Sequence, residues 1–214
     1  PPMRVPPVQA RSVVVTGCSS GIGLATARVL RARGWLVVPT ARKPADLDLL
    51  RAEGFVPVGL DVADAASVAS AAREALERVG GQLGGLVNNA GSGKWAPVHE
   101  TDDATVDEVI DISMKAPFRF CRAALPKMGP GSAIINVGSV FGTLGGLDGG
   151  IYCAVKAGLV GLTQTMAAQY GAEGIRTNLV APGVIKTDMT RGAWDAAPFR
   201  RLNHEMTPFN REGT

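Results

Sequence analysis

The chain has 214 residues, of which 46% are hydrophobic, 19% charged and only 5% aromatic, with 27 glycines. This composition excludes a disordered or collagen-like chain and fits one globular domain packed closely at the backbone. The formal charge of +3 is spread along the chain without the basic stripe of a nucleic-acid binder, and no apolar run is long enough to span a membrane.

Residues 1–11 carry four prolines and no periodicity, and are expected to be a disordered extension outside the fold. From Ser12 the pattern alternates. S-V-V-V-T predicts a strand, Gly21 to Arg33 a helix and W-L-V-V-P-T a second strand. A helix over 44–53, the strand F-V-P-V-G-L, a helix over 64–79 and the strand L-G-G-L-V-N-N follow. A long helix over 102–128, the strand S-A-I-I-N-V-G, a helix over 150–172 and the strand I-R-T-N-L-V-A complete the series. Short apolar strands separated by helices require parallel pairing, because a parallel neighbour needs a crossover. The expected fold is a single-domain, doubly wound α/β sheet with its chemistry beyond the carboxyl ends of the strands.

The first strand runs into T-G-C-S-S-G-I-G, Thr16 to Gly23. Gly17 permits a turn, while Gly21 and Gly23 let backbone approach an anion at a helix N-terminus, whose unpaired N–H groups favour a dinucleotide pyrophosphate. The same glycines would also serve an ordinary turn. Further along, Tyr152 and Lys156 are four apart, which on a helix places them on one face about 6 Å apart along the axis. A neighbouring ammonium favours the phenolate and is expected to lower the phenol pKa, making Tyr152 a usable acid or base. Y-x-x-x-K also occurs as a half-exposed helical pair, but Ser139, directly after the fifth strand, is positioned to meet it.

The spacing G-x-x-x-G-x-G resembles that of the short-chain dehydrogenase/reductase family. The resemblance runs from about Ser12 to Thr190 and takes in Asp61 and Val62, N-N-A-G at Asn88 to Gly91, Ser139, Y-C-A-V-K at Tyr152 to Lys156, and P-G-V-I-K-T at Pro182 to Thr187. It implies a Rossmann-type fold and hydride exchange between a nicotinamide cofactor and a ketone or secondary alcohol. Tyr152 is then the acid/base, Ser139 orients the substrate oxygen and Lys156 also binds the nicotinamide ribose. The implied cofactor-binding set is Gly17, Ser19, Ser20, Gly21, Ile22, Gly23, Asp61, Val62, Asn89, Ala90, Gly91, Tyr152, Lys156, Pro182, Gly183, Val184, Ile185 and Thr187. The family's fourth catalytic position, usually Asn, falls on Ser113. Pro117, four residues on, has no N–H to give the Ser113 carbonyl, so that main-chain group is expected to hold a water that relays protons to Lys156.

At the end of the second strand Ala41 stands where an acidic residue would bind ribose hydroxyls, and Arg42 with Lys43 can pair with a 2′-phosphate. NADP(H) is therefore expected over NAD(H), the alternative being a solvated Arg42 and Lys43. By the same comparison the chain stops before a seventh strand. That feature, with Ser113, leaves a dinucleotide-binding protein of little or no turnover as the alternative function.

Cys18, Cys121 and Cys153 form an odd set without metal-ligand spacing; buried thiols, a reducing cytoplasmic setting and no metal site are expected. His99 and His204 are isolated. Met189, Trp194, Phe199 and Leu202 suggest an apolar lid over about 184–205, closing on an apolar carbonyl or alcohol, or else small helices packed on the domain. Together with 140–147 and 92–95 this stretch is expected to set substrate choice. Small residues at Ala154, Ala157, Gly158 and Gly161, with the family resemblance, imply a homodimer or homotetramer and no nucleic-acid or membrane partner.

Overall fold

A computed structural model describes residues 6–193 together with residues 197, 201 and 213. Six strands, β1 (Ser12–Val15), β2 (Leu36–Ala41), β3 (Val58–Gly59), β4 (Gly85–Asn88), β5 (Ala133–Val137) and β6 (Arg176–Val180), form one sheet. Their order is β3-β2-β1-β4-β5-β6 and every pair is parallel. Helices α1 (Gly21–Ala32), α2 (Pro44–Ala52), α3 (Ala65–Arg78), α4 (Asp103–Ile110), α5 (Ala116–Ala124) and α6 (Gly150–Tyr170) supply the crossovers. The doubly wound Rossmann-type fold read from the sequence is the fold observed. The chain reverses its direction of growth between β1 and β4, which opens a crevice at their carboxyl ends.

Period-two alternation divides β1 between two cores. Val13 and Val15 pack with Val37, Leu50 and Phe55 on the α1 and α2 side, whereas Val14 packs with Val38, Leu86, Ile134, Phe120 and Met166 on the α3, α5 and α6 side. Side-chain caps fix where helices begin. Asp64 accepts from Ala66 N at 3.0 Å and Ser67 N at 3.1 Å ahead of α3, and Asp102 accepts from Thr105 N at 2.8 Å ahead of α4.

Three expectations change in detail. The third strand shrinks to Val58–Gly59, pairing only with Thr40 and Ala41. Pro39 and Pro57 have no N–H to add to a longer ladder. The helix expected over 102–128 is interrupted by a π-helical turn, Asp111–Lys115, in which Ala116 N donates to Asp111 O, so the chain widens by one residue just before Pro117. Finally, residues 6–11 do not hang outside the fold. They run along the amino ends of the strands: Leu36 N donates to Arg11 O at 2.8 Å, and a Cβ on Gly84 or Gly131 would collide with the backbone of Ala10 or Pro7. Residues 1–5 lie outside the described residues. No helix among the described residues is long and apolar enough to cross a membrane.

Candidate active site

The carboxyl edge of the sheet carries a cleft of about 410 Å³. Its floor is the loop after β1. Gly17 and Gly21 have φ of 71° and 57°, in the left-handed region that glycine enters freely. Gly23 is required for another reason: a Cβ there would lie inside 3.0 Å of Gly17 O and Asn89 Nδ2. The loop is locked to the segment after β4 by Thr16 and Asn89. Asn89 N and Ala90 N both donate to Thr16 Oγ1 at 3.0 Å, while Asn89 Nδ2 donates to Thr16 O at 2.9 Å and Gly17 O at 3.0 Å. Ser20 precedes α1 without a side-chain cap hydrogen bond, so the first N–H groups of that helix face the cleft without a side-chain acceptor. Uncapped helix amides behind a glycine turn fit a dinucleotide pyrophosphate.

Beneath this wall lies a buried polar chain. Asn88 Nδ2 donates to Asn136 Oδ1 at 2.9 Å, Asn136 Nδ2 donates to Thr163 Oγ1 at 2.9 Å, and Thr163 Oγ1 donates to Leu159 O at 2.7 Å. It ties β4, β5 and α6 together under the cleft.

Ser139, 8% exposed, ends the β5 loop and accepts from Phe141 N at 3.2 Å. Tyr152 and Lys156 descend from the first turns of α6. Lys156 Nζ donates to Val137 O at 2.8 Å and stands 5.6 Å from the Tyr152 ring centroid. Burial pulls the Lys156 ammonium down to about 8. Burial also pushes the Tyr152 phenol up, with the Ser139 hydroxyl opposing. This departs from the expected lowering by Lys156: taking both groups out of water outweighs their proximity.

Ser113 is 1% exposed and sits in the π-helical turn. Its hydroxyl accepts from Ser92 N at 3.2 Å and donates to Ser92 O at 3.3 Å. It thus holds the loop after β4 and does not line the cleft. Gly91 bridges the two groups: a Cβ there would approach Lys156 Nζ at 3.6 Å and Ser113 Oγ at 3.8 Å.

Of the residues expected to bind the cofactor, Gly17, Ser19, Ser20, Gly21, Ile22, Arg42, Asp61, Val62, Asn89, Ala90, Gly91, Tyr152, Lys156, Pro182, Gly183, Ile185 and Thr187 line the cleft. Gly23, Lys43 and Val184 do not; Lys43 is the N-cap residue of α2. Thr40, Leu60, Glu108 and Ile112 also line it and were missed. Thr40 and Leu60 end strands, where the carboxyl-edge rule points. Glu108 and Ile112 carried no such signal: Glu108 lies in α4 and Ile112 in the π-helical turn that follows it.

On the far wall, Met189 is 63% exposed and lines the cleft, and Gly213 pairs with Ile185, donating to Val184 O at 3.0 Å. Trp194, Phe199, Leu202 and His204, expected in or beside a lid, lie outside the described residues. Cys18 and Cys121 are buried, with their thiols pushed up to about 12 and about 11 by desolvation; Cys153 is half-buried.

The short chain dehydrogenase profile matches residues 11–197. The chain is 37% identical over 196 residues to the 3-oxoacyl-acyl-carrier-protein reductase FabG of Escherichia coli K12, covering 87% of this chain and 78% of that protein. It is 40% identical over 191 residues to the cis-4-hydroxycyclohexanecarboxylate dehydrogenase of Sinomonas cyclohexanicum, covering 85% and 76%. Among solved structures, a short chain dehydrogenase from Burkholderia cenocepacia in complex with NADP superposes with a TM-score of 0.85 at 30% identity, covering 96% and 86% of the two chains.

Proposed function

Because the chain belongs to the short-chain dehydrogenase family, we propose that it is an NADP(H)-dependent oxidoreductase interconverting a ketone and a secondary alcohol. The observation that carries this reading is the meeting of Ser139, Tyr152 and Lys156 at the carboxyl edge of the sheet, beside a cleft floored by an uncapped helix N-terminus.

The amides around Ser20 to Ile22 would hold the pyrophosphate and Asp61 the adenine end. Arg42 lines the cleft and Ala41 supplies no carboxylate, which supports the 2′-phosphorylated cofactor. When bound, the dinucleotide supplies or accepts the hydride at the carbonyl carbon. Tyr152 gives its phenolic proton to the carbonyl oxygen during reduction and recovers it during oxidation. Ser139 orients that oxygen. Lys156 holds the nicotinamide ribose and replenishes the phenol. The Ser113 hydroxyl is committed to Ser92, so the proton relay through water to Lys156 falls to the Ser113 main-chain carbonyl.

A groove lined by Phe118 and Leu162 between α5 and α6, with Phe118 51% exposed, supports self-association as a homodimer or homotetramer. The reading places the protein in the cytoplasm. The test is NADPH oxidation with a panel of ketones by the wild type and by Tyr152→Phe. Loss of turnover with retained NADPH binding is expected; an undiminished rate in Tyr152→Phe would overturn the assignment.

A further inference from the structure

Two aromatic rings with no part in the proton path stand against the Tyr152 phenol. Trp95 lies 5.3 Å from Tyr152 between centroids at an interplanar angle of 42°. Phe141 lies 5.6 Å from Trp95 at 70° and 6.5 Å from Tyr152 at 72°. These spacings are those of tilted and edge-to-face pairs, which resist sliding.

Glycine makes room for the indole. A Cβ on Gly149, the N-cap residue of α6, would stand 2.5 Å from Trp95 Cζ3, and Ala96 N donates to Asp148 O at 2.7 Å to pin the backbone on the other side. Gly93 lies in the strip between the rings, where a Cβ would sit at ordinary contact distance, 3.5 Å from Trp95 Nε1 and 3.7 Å from Tyr152 Cδ2 and Cε2. The indole is therefore held in place while 51% exposed. The apolar surface continues outward through Val98, 78% exposed, and Leu147, 81% exposed.

Lys156 Nζ lies 5.6 Å from the Tyr152 ring, but the exposed charges beside the indole are paired or acidic. Lys94 pairs with Glu108 at 3.0 Å, His99 lies 3.4 Å from Glu100, and Asp148 adds an exposed carboxylate beside Gly149. Trp95 does not itself line the cleft, but its half-exposed indole stands 5.3 Å from the ring of Tyr152, which does, so a flat group borne by a carbonyl carbon held at the phenol can reach the indole.

We propose that Trp95 is the specificity-determining residue of the carbonyl site, its open face stacking an aromatic ring borne on the carbonyl carbon, so that neutral aryl ketones and their alcohols are preferred. This rests on the reading that Tyr152 exchanges its proton with the carbonyl oxygen.

The test compares kcat/KM with NADPH for acetophenone and 2-octanone, methyl ketones of equal carbon number but flat and flexible respectively. The wild type prefers acetophenone. Trp95→Ala lowers the acetophenone value about tenfold and the 2-octanone value less than about threefold, and Trp95→Phe restores most of the loss. Gly149→Ala, which displaces the indole without removing it, moves the ratio in the same direction. An unchanged ratio in Trp95→Ala would overturn the proposal. Equilibrium dialysis of 1-phenylethanol and 2-octanol against the cofactor-free protein separates this from the functional reading. If no ketone is reduced, the oxidoreductase reading fails, and equal 1-phenylethanol binding by wild type and Trp95→Ala refutes the stacking role independently. Selective weakening in Trp95→Ala supports it.

Discussion

Replacing Gly23 by alanine adds a single methyl group, and the structure fixes where that methyl must go. Gly23 does not have a positive φ, so the substitution carries no backbone strain and its cost is steric. The new Cβ would fall inside 3.0 Å of Gly17 O and Asn89 Nδ2. Because one of those atoms is backbone, the loop must move. Overpacking of this kind costs about 1–3 kcal/mol. Displacing the Asn89 amide also gives up its bonds to Thr16 O and Gly17 O, about 1 kcal/mol each. Better helix propensity returns about 1 kcal/mol. The net loss is about 3 kcal/mol, which for a domain of this size lowers the melting temperature by roughly 6–12 °C. Gly171→Ala is the control, since nothing lies within 4 Å of its added Cβ and its φ of −61° suits alanine. It should be neutral or slightly stabilising. The assay is thermal unfolding of all three proteins, followed by NADPH titration at a temperature where each is folded. Melting of Gly23→Ala within about 2 °C of the wild type would refute the steric argument.

Arg42→Ala should weaken NADPH binding about tenfold or more while leaving NADH within about threefold, read by fluorescence titration at matched ionic strength; equal losses for both would refute the 2′-phosphate contact, and no loss for either would assign Arg42 to the solvent. Asn136→Ala removes the middle of the buried polar chain and leaves Asn88 and Thr163 without that partner, so unfolding should become easier by about 3 kcal/mol, measured by urea denaturation. Lys156 has its pKa lowered to about 8 from 10.5, so between these values the unfolded chain binds more protons and stability contributed by this group rises with pH. Melting temperatures across that window should therefore climb more steeply, or fall less, in the wild type than in Lys156→Met. Iodoacetamide at pH near 8 should spare Cys18 and Cys121 in the folded protein, as mass spectrometry of the peptides would show, because burial keeps both as thiols.

What could be read in the sequence was what local spacing dictates. The glycines at 17, 21 and 23 announce a strand-to-helix turn because backbone geometry there admits little else, and the four-residue step from Tyr152 to Lys156 is a property of any α-helix. Ser139 was found because a short apolar run fixes where its strand ends. The remainder depends on what meets what. Pro117 was read as leaving the Ser113 carbonyl without its N–H partner inside a continuous helix, whereas the chain forms a π-helical turn there, from which Ser113 bonds to Ser92, twenty-one residues away. Lys156 was expected to lower the Tyr152 pKa, and burial raises it instead, because the depth at which α6 buries the phenol is not a local property of the sequence. Trp95 was expected among the 92–95 residues that set substrate choice, but what holds its indole, the room left by Gly149 fifty-four positions on, is not local. The proline-rich start looked unstructured because its partners, the glycines at 84 and 131, lie far along the chain.

That opening segment also gives the molecule a back. Residues 6–11 cross the amino ends of the strands, and the cleft opens at the carboxyl ends, a strand's length of about 16 Å away. A fluorophore or surface linker attached within residues 6–11 sits on the side facing away from the cleft. An immobilised enzyme attached there would present its mouth to the solution.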